Sequence, residues 1–90
     1  MKAIYKYRLD TPRGGVMMPK GARLLSAAVQ AQDSYSGIVV WAVVDPEAAQ
    51  VLRRIIAINT GDPAPDNDVR FVATLVVHQI VWHIFDGGDP

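Results

Sequence analysis

The stretch from Phe71 to Phe85, FVATLVVHQIVWHIF, carries no charge, and its polar residues are Thr74, the His78-Gln79 pair and His83. β-Branched and aromatic residues concentrate in this way where a sheet has two faces to fill. A membrane-spanning helix needs about 20 apolar residues, more than this stretch supplies, and the polar His78-Gln79 pair falls at its middle. A two-residue turn at that pair folds the run into a hairpin of Val69–Val77 and Ile80–Phe85. Neither His nor Gln favours the positive φ that the tightest hairpin turns demand, so a wider loop is the alternative.

The remaining segments also read mainly as strands. Ala3, Tyr5, Tyr7 and Leu9 alternate with Ile4, Lys6 and Arg8, the pattern of a half-exposed strand. Asp10–Gly15 is a loop by composition, Val16–Met18 a short extended piece, and Pro19-Lys20-Gly21 a turn. Ala22–Ala31 is ambiguous: its alanines and leucines favour helix, while Arg23, Leu25, Ala27 and Val29 would share one face of a strand. A turn at Asp33–Gly37 leads to Ile38–Val44, too short for a typical helix and apolar throughout. Asp45–Gly61 has two readings. Asp45 as N-cap, Pro46 in the first turn and Gly61 past the end make a helix over 46–58. The alternative is one helical turn at Pro46–Ala49 and then a strand with Leu52, Arg54, Ile56 and Ile58 on one face. Residues 62–68, DPAPDND, form an acidic loop.

Ninety residues make one domain, 1–90, and a chain of this size buries roughly 60% of its unfolded surface. With 50% hydrophobic and 20% charged residues it is globular. The absence of cysteine excludes disulfides, a thiol nucleophile and cysteine-based zinc sites. MKAIYKYRLD has no apolar signal core, so a cytoplasmic protein with no membrane partner is expected. Net charge is zero, yet residues 1–23 hold Lys2, Lys6, Arg8, Arg13, Lys20 and Arg23 against Asp10 alone. Residues 63–90 hold Asp66, Asp68, Asp86 and Asp89 against Arg70. The basic end is a candidate anion-binding surface, or a set of lysines that keep an exposed strand from pairing with other chains.

No nucleophile elbow, phosphate-binding loop or zinc-protease motif occurs, so no catalytic residue, metal or cofactor is expected. Arg53 and Arg54 point to opposite faces if their segment is a strand, and the inward one needs a partner, for which Asp45 or Glu47 is the candidate. With Lys20, Arg23 and the aromatic pair Tyr5/Tyr7, these arginines form a candidate cradle for a phosphate or nucleotide. His83 has two readings, an anion-contacting or pH-sensitive imidazole and a half-buried ring satisfied by a backbone carbonyl. The candidate ligand-binding set is therefore Lys20, Arg23, Arg53, Arg54 and His83. Trp41 and Trp82 read as core residues.

Six short stretches occur in a characteristic order. They are Ile4-Tyr5-Lys6-Tyr7, Met18-Pro19-Lys20-Gly21-Ala22 with Leu25-Ser26, Trp41-Ala42-x-Val44-Asp45-Pro46, Arg53-Arg54, Thr60-Gly61-x-Pro63 and Trp82-His83-x-Phe85. The set resembles a family of small phage and prophage proteins classed only as a domain of unknown function. The resemblance implies an accessory protein acting in a host bacterial cytoplasm. It also favours strand over helix for Arg53–Thr60, and relatives carry glycines where this chain has His78-Gln79. The expected fold is mostly β: a small antiparallel sandwich or partly open barrel with one short helical turn, or else α+β with a helix at 46–58. Its central strands are expected at Ile38–Val44, Phe71–Val77 and Ile80–Phe85. The expected function is non-enzymatic binding of a host protein or assembly, with an anti-defence role. The alternatives are sequestering a small anionic ligand such as a nucleotide signal, and a structural or virion-associated role. So apolar a chain also suits a homodimer. Nucleic acid is not the expected partner, because no recognisable module accompanies the local basic excess.

Overall fold

Ile38–Val44 is apolar at every position, which suits a strand covered on both faces. In the computed structural model it is the middle strand of a three-stranded sheet. The structure describes residues 1–10, 14–30 and 37–90. They form seven strands: β1 (Ala3–Leu9), β2 (Val16–Pro19), β3 (Arg23–Val29), β4 (Ile38–Val44), β5 (Gln50–Asn59), β6 (Arg70–Val77) and β7 (Ile80–Gly88). Two antiparallel sheets result, ordered β1-β4-β3 and β2-β5-β7-β6. The loops expected at Asp10–Gly15 and Asp33–Gly37 fall mainly on residues 11–13 and 31–36, outside the described residues. No helix among the described residues is long and apolar enough to cross a membrane.

The sheets face each other across one apolar core. Leu9, Ile38, Val40, Ala42 and Val44 come from the three-stranded sheet, and Met18, Ile55, Ala57, Val77 and Ile84 from the four-stranded one. β3 and β6 meet at one corner, yet no hydrogen-bonded ladder joins them. The fold is therefore a small β-sandwich and is not closed into a barrel. Trp82 packs against the core as expected. Trp41 does not: it pairs with Lys6 and Ser26 on the opposite face of β4 from the core residues Val40 and Ala42, and is half-buried there.

Two ambiguous segments resolve for physical reasons. In β3 an extra residue, Leu25, bulges between Leu24 and Ser26. Leu24 and Ala27 consequently both pack on the core, while Arg23, Leu25 and Val29 are exposed. A spacing of three between buried positions imitates a helix, and the bulge creates it. The helix at 46–58 is absent. Asp45 does accept a bond from Glu47 N at its Oδ1 (3.0 Å), and its carbonyl accepts one from Ala48 N (3.0 Å), closing a single turn. Helix caps and turns use the same short-range Asp bond, so the start signal was a turn signal. From Gln50 the β-branched Val51, Ile55, Ile56 and Ile58 favour the pleated sheet.

The apolar run is a hairpin, with Val77 opposite Ile80. β6 is an edge strand, however, and not a central one; β7 and β5 occupy the middle of their sheet. The turn is the tight one. His78 (φ 50°) and Gln79 (φ 70°) both adopt the left-handed region, the combination that two-residue hairpins require and that Asn-Gly supplies with least strain. Each L-residue held there costs roughly 1–2 kcal/mol, and the ladder between β6 and β7 sustains it. Replacing Gln79→Gly is expected to stabilise the chain by about 1 kcal/mol, measured as a higher urea midpoint at unchanged slope. A lower midpoint would show that the turn is not strained.

Candidate functional site

Arg53 shares the inward parity of β5 with Ile55 and Ala57, both core residues. Asp86 shares the inward parity of β7 with Trp82 and Ile84. Each is only 7% exposed. An isolated charge at such a depth would be strongly disfavoured, so each must find the other. Arg53 Nε donates to Asp86 Oδ1 and Nη2 donates to Asp86 Oδ2, both at 2.8 Å. The remaining amine, Nη1, donates to Asp89 Oδ1 at 3.1 Å. Asp89 Oδ2 in turn accepts Gly21 N at 2.9 Å, which ties the end of β7 to the β2–β3 turn.

Gly87 makes this geometry accessible. It is the extra residue where β7 slips against β5, between the pairs Arg54–Gly88 and Ile55–Asp86. A Cβ on Gly87 would lie 2.8 Å from Cγ of Arg54, whose stem covers it. Beyond this bulge Gly88 N returns to Asp86 Oδ1 at 2.8 Å. Burial pulls the Asp86 carboxyl upward. The hydrogen bonds from Arg53 and Gly88 and the charges of Arg53 and Arg70 outweigh it, and hold the group below its ordinary 3.8. The Arg53 guanidinium is raised above its ordinary value, first by its hydrogen bond to Asp86 and against the effect of burial.

A cleft of about 410 Å³ opens over this pair at the corner between the sheets. Gly21–Leu25 form one wall, Arg70–Val72 the other, and Arg53 and Asp86 also line it. Arg23 and Arg70 are exposed and have no hydrogen-bond or ion-pair partner among the described residues. Their guanidiniums carry the forked donor geometry that matches phosphate and carboxylate oxygens.

The structure thus brings together Arg23 and Arg53 of the sequence-predicted set and separates the others. Lys20 is exposed beside the cleft, with its backbone N bonded to Ala49 O at 2.8 Å. Arg54 lies on the outer face of the four-stranded sheet, in a groove with Ile56, Ile58, Pro65 and Asp66. His83 is on that outer face as well. Its Nε2 is 2.8 Å from Thr60 Oγ1 and its Nδ1 is 3.0 Å from Thr74 Oγ1. Two threonine hydroxyls, rather than a backbone carbonyl, hold its ring. Tyr5 and Tyr7 belong to β1, which β4 separates from β3, so they do not enter the cradle proposed for them. The partners of Arg53 are Asp86 and Asp89; Asp45 caps its own turn instead.

A family model described as a domain of unknown function, DUF7352, matches residues 1–90. The chain belongs to that family. Neither a curated protein nor a solved structure matches it.

Arg70, Asp86 and Asp89 are the site residues that sequence reasoning missed. A signal existed for Asp86: continuing the alternation Trp82, Ile84 by one step places a carboxylate on the buried face, as Ile55 and Ala57 place Arg53. The buried pair yields a double prediction. Asp86→Leu alone removes two of the three carboxylate bonds of a buried guanidinium, leaves it Asp89 only, and is expected to cost about 3 kcal/mol, whereas combining it with Arg53→Met recovers most of that loss. Because the Asp86 pKa is depressed on folding, its stabilisation is complete at pH values above 3.8 and lost as pH falls through the folded value. Urea unfolding at pH 7 and pH 3 checks both, and Asp86→Asn should flatten the acid limb.

Proposed function

We propose that this DUF7352 domain is a non-enzymatic binding protein that captures an anionic group in the cleft between β3 and β6. The observation that carries this reading is the pair of exposed arginines, Arg23 and Arg70, on opposite walls of the cleft, neither with a hydrogen bond or ion pair among the described residues. Arg70 stands opposite Asp86 in the strand register, and Arg23 belongs to the facing edge strand; guanidinium forks so placed around one cleft suit phosphate or carboxylate oxygens. A sequestering protein for a small anion, such as a nucleotide signal, uses this arrangement directly. We read its setting as the cytoplasm of a bacterial host, in the phage-type accessory role that the sequence resemblance implies.

A second reading, in which a host protein or a second copy of the chain is the partner, rests on a different surface. Met17, Leu52, Phe71 and Val76 are exposed large apolar side chains on the outer face of the four-stranded sheet, and Phe71, 61% exposed, packs edge-on against Phe85 at 5.8 Å. A partner that the chain retains, and that Leu52→Asp releases while Arg23→Ala does not, would favour this surface over the cleft.

The test of the first reading is thermal unfolding with inorganic pyrophosphate or adenosine monophosphate at low salt. Ligand that binds only the folded chain raises the midpoint, by an increment that corresponds to roughly 2.7 kcal/mol at a hundredfold excess over Kd. The Arg23→Ala/Arg70→Ala double variant should fold and show no shift. No stabilisation of the unaltered chain at millimolar concentration of either probe would end the reading.

A further inference from the structure

The two carboxylates on Arg53 do not hold it equally. Asp86 engages two of its nitrogens at 2.8 Å, receives Gly88 N as well, and has a side chain 8% exposed. Asp89 makes one bond to Arg53, at 3.1 Å, and has a side chain 23% exposed. It also lies beyond the last residue of β7. The joint before it is Gly88, at φ +82° with open space where a Cβ would stand. Asp86 is built into the core; Asp89 stands just past the ladder, held by one bond from Arg53 and one from Gly21 N.

The two donors under Asp89 are Arg53 Nη1 and Gly21 N–H, and both residues line the cleft. Together they form a seat for two oxygens of one anion. Arg23 follows Gly21 by two residues, and Arg70 stands on the other wall. We propose that Asp89 is an internal competitor: its carboxylate occupies the seat of a phosphoryl group, and the ligand enters by displacing it. This inference rests on the cleft being the binding site, and it names both the chemical class and the control. Once Asp89 leaves, the charged residues that line the cleft, among those described, are Arg23, Arg53 and Arg70 against Asp86, a surplus of two positive charges (three guanidiniums less one carboxylate). That surplus matches a phosphate dianion or diphosphate better than a single carboxylate. The displaced segment, Gly88–Asp89–Pro90, is also released from the β2–β3 turn, so occupancy of the cleft frees the end of β7.

The experiment is calorimetric titration of the folded chain with inorganic pyrophosphate, compared with Asp89→Asn, Gly88→Ala and Arg54→Ala. Asp89→Asn removes the competing charge with little change of shape and is expected to bind about tenfold more tightly. Gly88→Ala keeps every charge and strains the left-handed joint that presents Asp89, so it should tighten binding in the same direction. Arg54→Ala, on the other face of the sheet, should leave the affinity unchanged. The Gly21 amide resonance should move on titration of the unaltered chain. If that chain binds and both Asp89→Asn and Gly88→Ala bind no tighter while remaining folded, the competitor role is overturned and the cleft reading stands. If Asp89→Asn alone tightens binding, Asp89 acts as a fixed charge and the displacement is overturned. Absence of binding by the unaltered chain and by Asp89→Asn overturns both.

Discussion

The two-pronged contact between Arg53 and Asp86 is the constraint around which the rest of the structure is arranged. It joins β5 to β7 on the core side of the four-stranded sheet, and through Asp89 it reaches the turn between β2 and β3. A buried ion pair is a poor source of net stability, since desolvation of both ions roughly offsets their attraction. Its register is fixed together with the apolar residues beside it. Moving β5 by one residue against β7 would turn Arg53 outward and Arg54 inward, so an arginine would still face Asp86, but Ile55 and Ala57 would leave the core. The adjacent arginines therefore have unlike roles. Arg53 joins β5 to Asp86 of β7; Arg54 lays its stem over Gly87 on the solvent side.

The cleft follows from irregularities at the same end of the molecule. β3 carries an extra residue at Leu25 and β6 one at Val72, and both bulged residues line the cleft. Bulges bend a strand and sharpen its twist, so the walls bend where a regular ladder would have continued. β3 and β6 approach each other but do not pair. A closed barrel would have covered Arg53 and Asp86 completely. The open corner leaves both residues lining the cleft, although each stays 7% exposed.

Much of this was readable in the sequence, and the limits have identifiable causes. The antiparallel sandwich, the hairpin and the opposite facing of Arg53 and Arg54 all follow from period-two alternation, which local residues determine. The extent of β7 did not follow, because a search for apolar runs stops at Phe85, one residue before the carboxylate that matters most. Propensity left the segment after Asp45 open between a helix and a turn followed by a strand, because a turn and a helix start with the same side-chain bond; the second reading holds. The tight turn at His78-Gln79 runs against residue preference and is imposed by the strands on either side. Arg23 and Arg53 were found for their charge, whereas Arg70 enters the site only through the register that sets it opposite Asp86. Pairings across 33 residues, such as Arg53 with Asp86, are not encoded locally.

The formal neutrality of the chain is no obstacle to anion binding, because the charges are sorted by surface. Of the four C-terminal aspartates, Asp86 and Asp89 are turned onto Arg53. Asp66 lines the groove on the outer face of the four-stranded sheet, beside Arg54. Screening in physiological salt limits exposed charges to a range of about 8 Å, so an anion at the cleft responds chiefly to what surrounds the cleft. Arg23 and Arg70 line that cleft, with Lys20 next to Gly21. The basic excess of the N-terminal segment is also divided: Lys6 and Arg8 belong to β1, on the far side of β4 from β3. A count over the whole sequence merges these regions into zero, while the fold distributes the charges over separate surfaces.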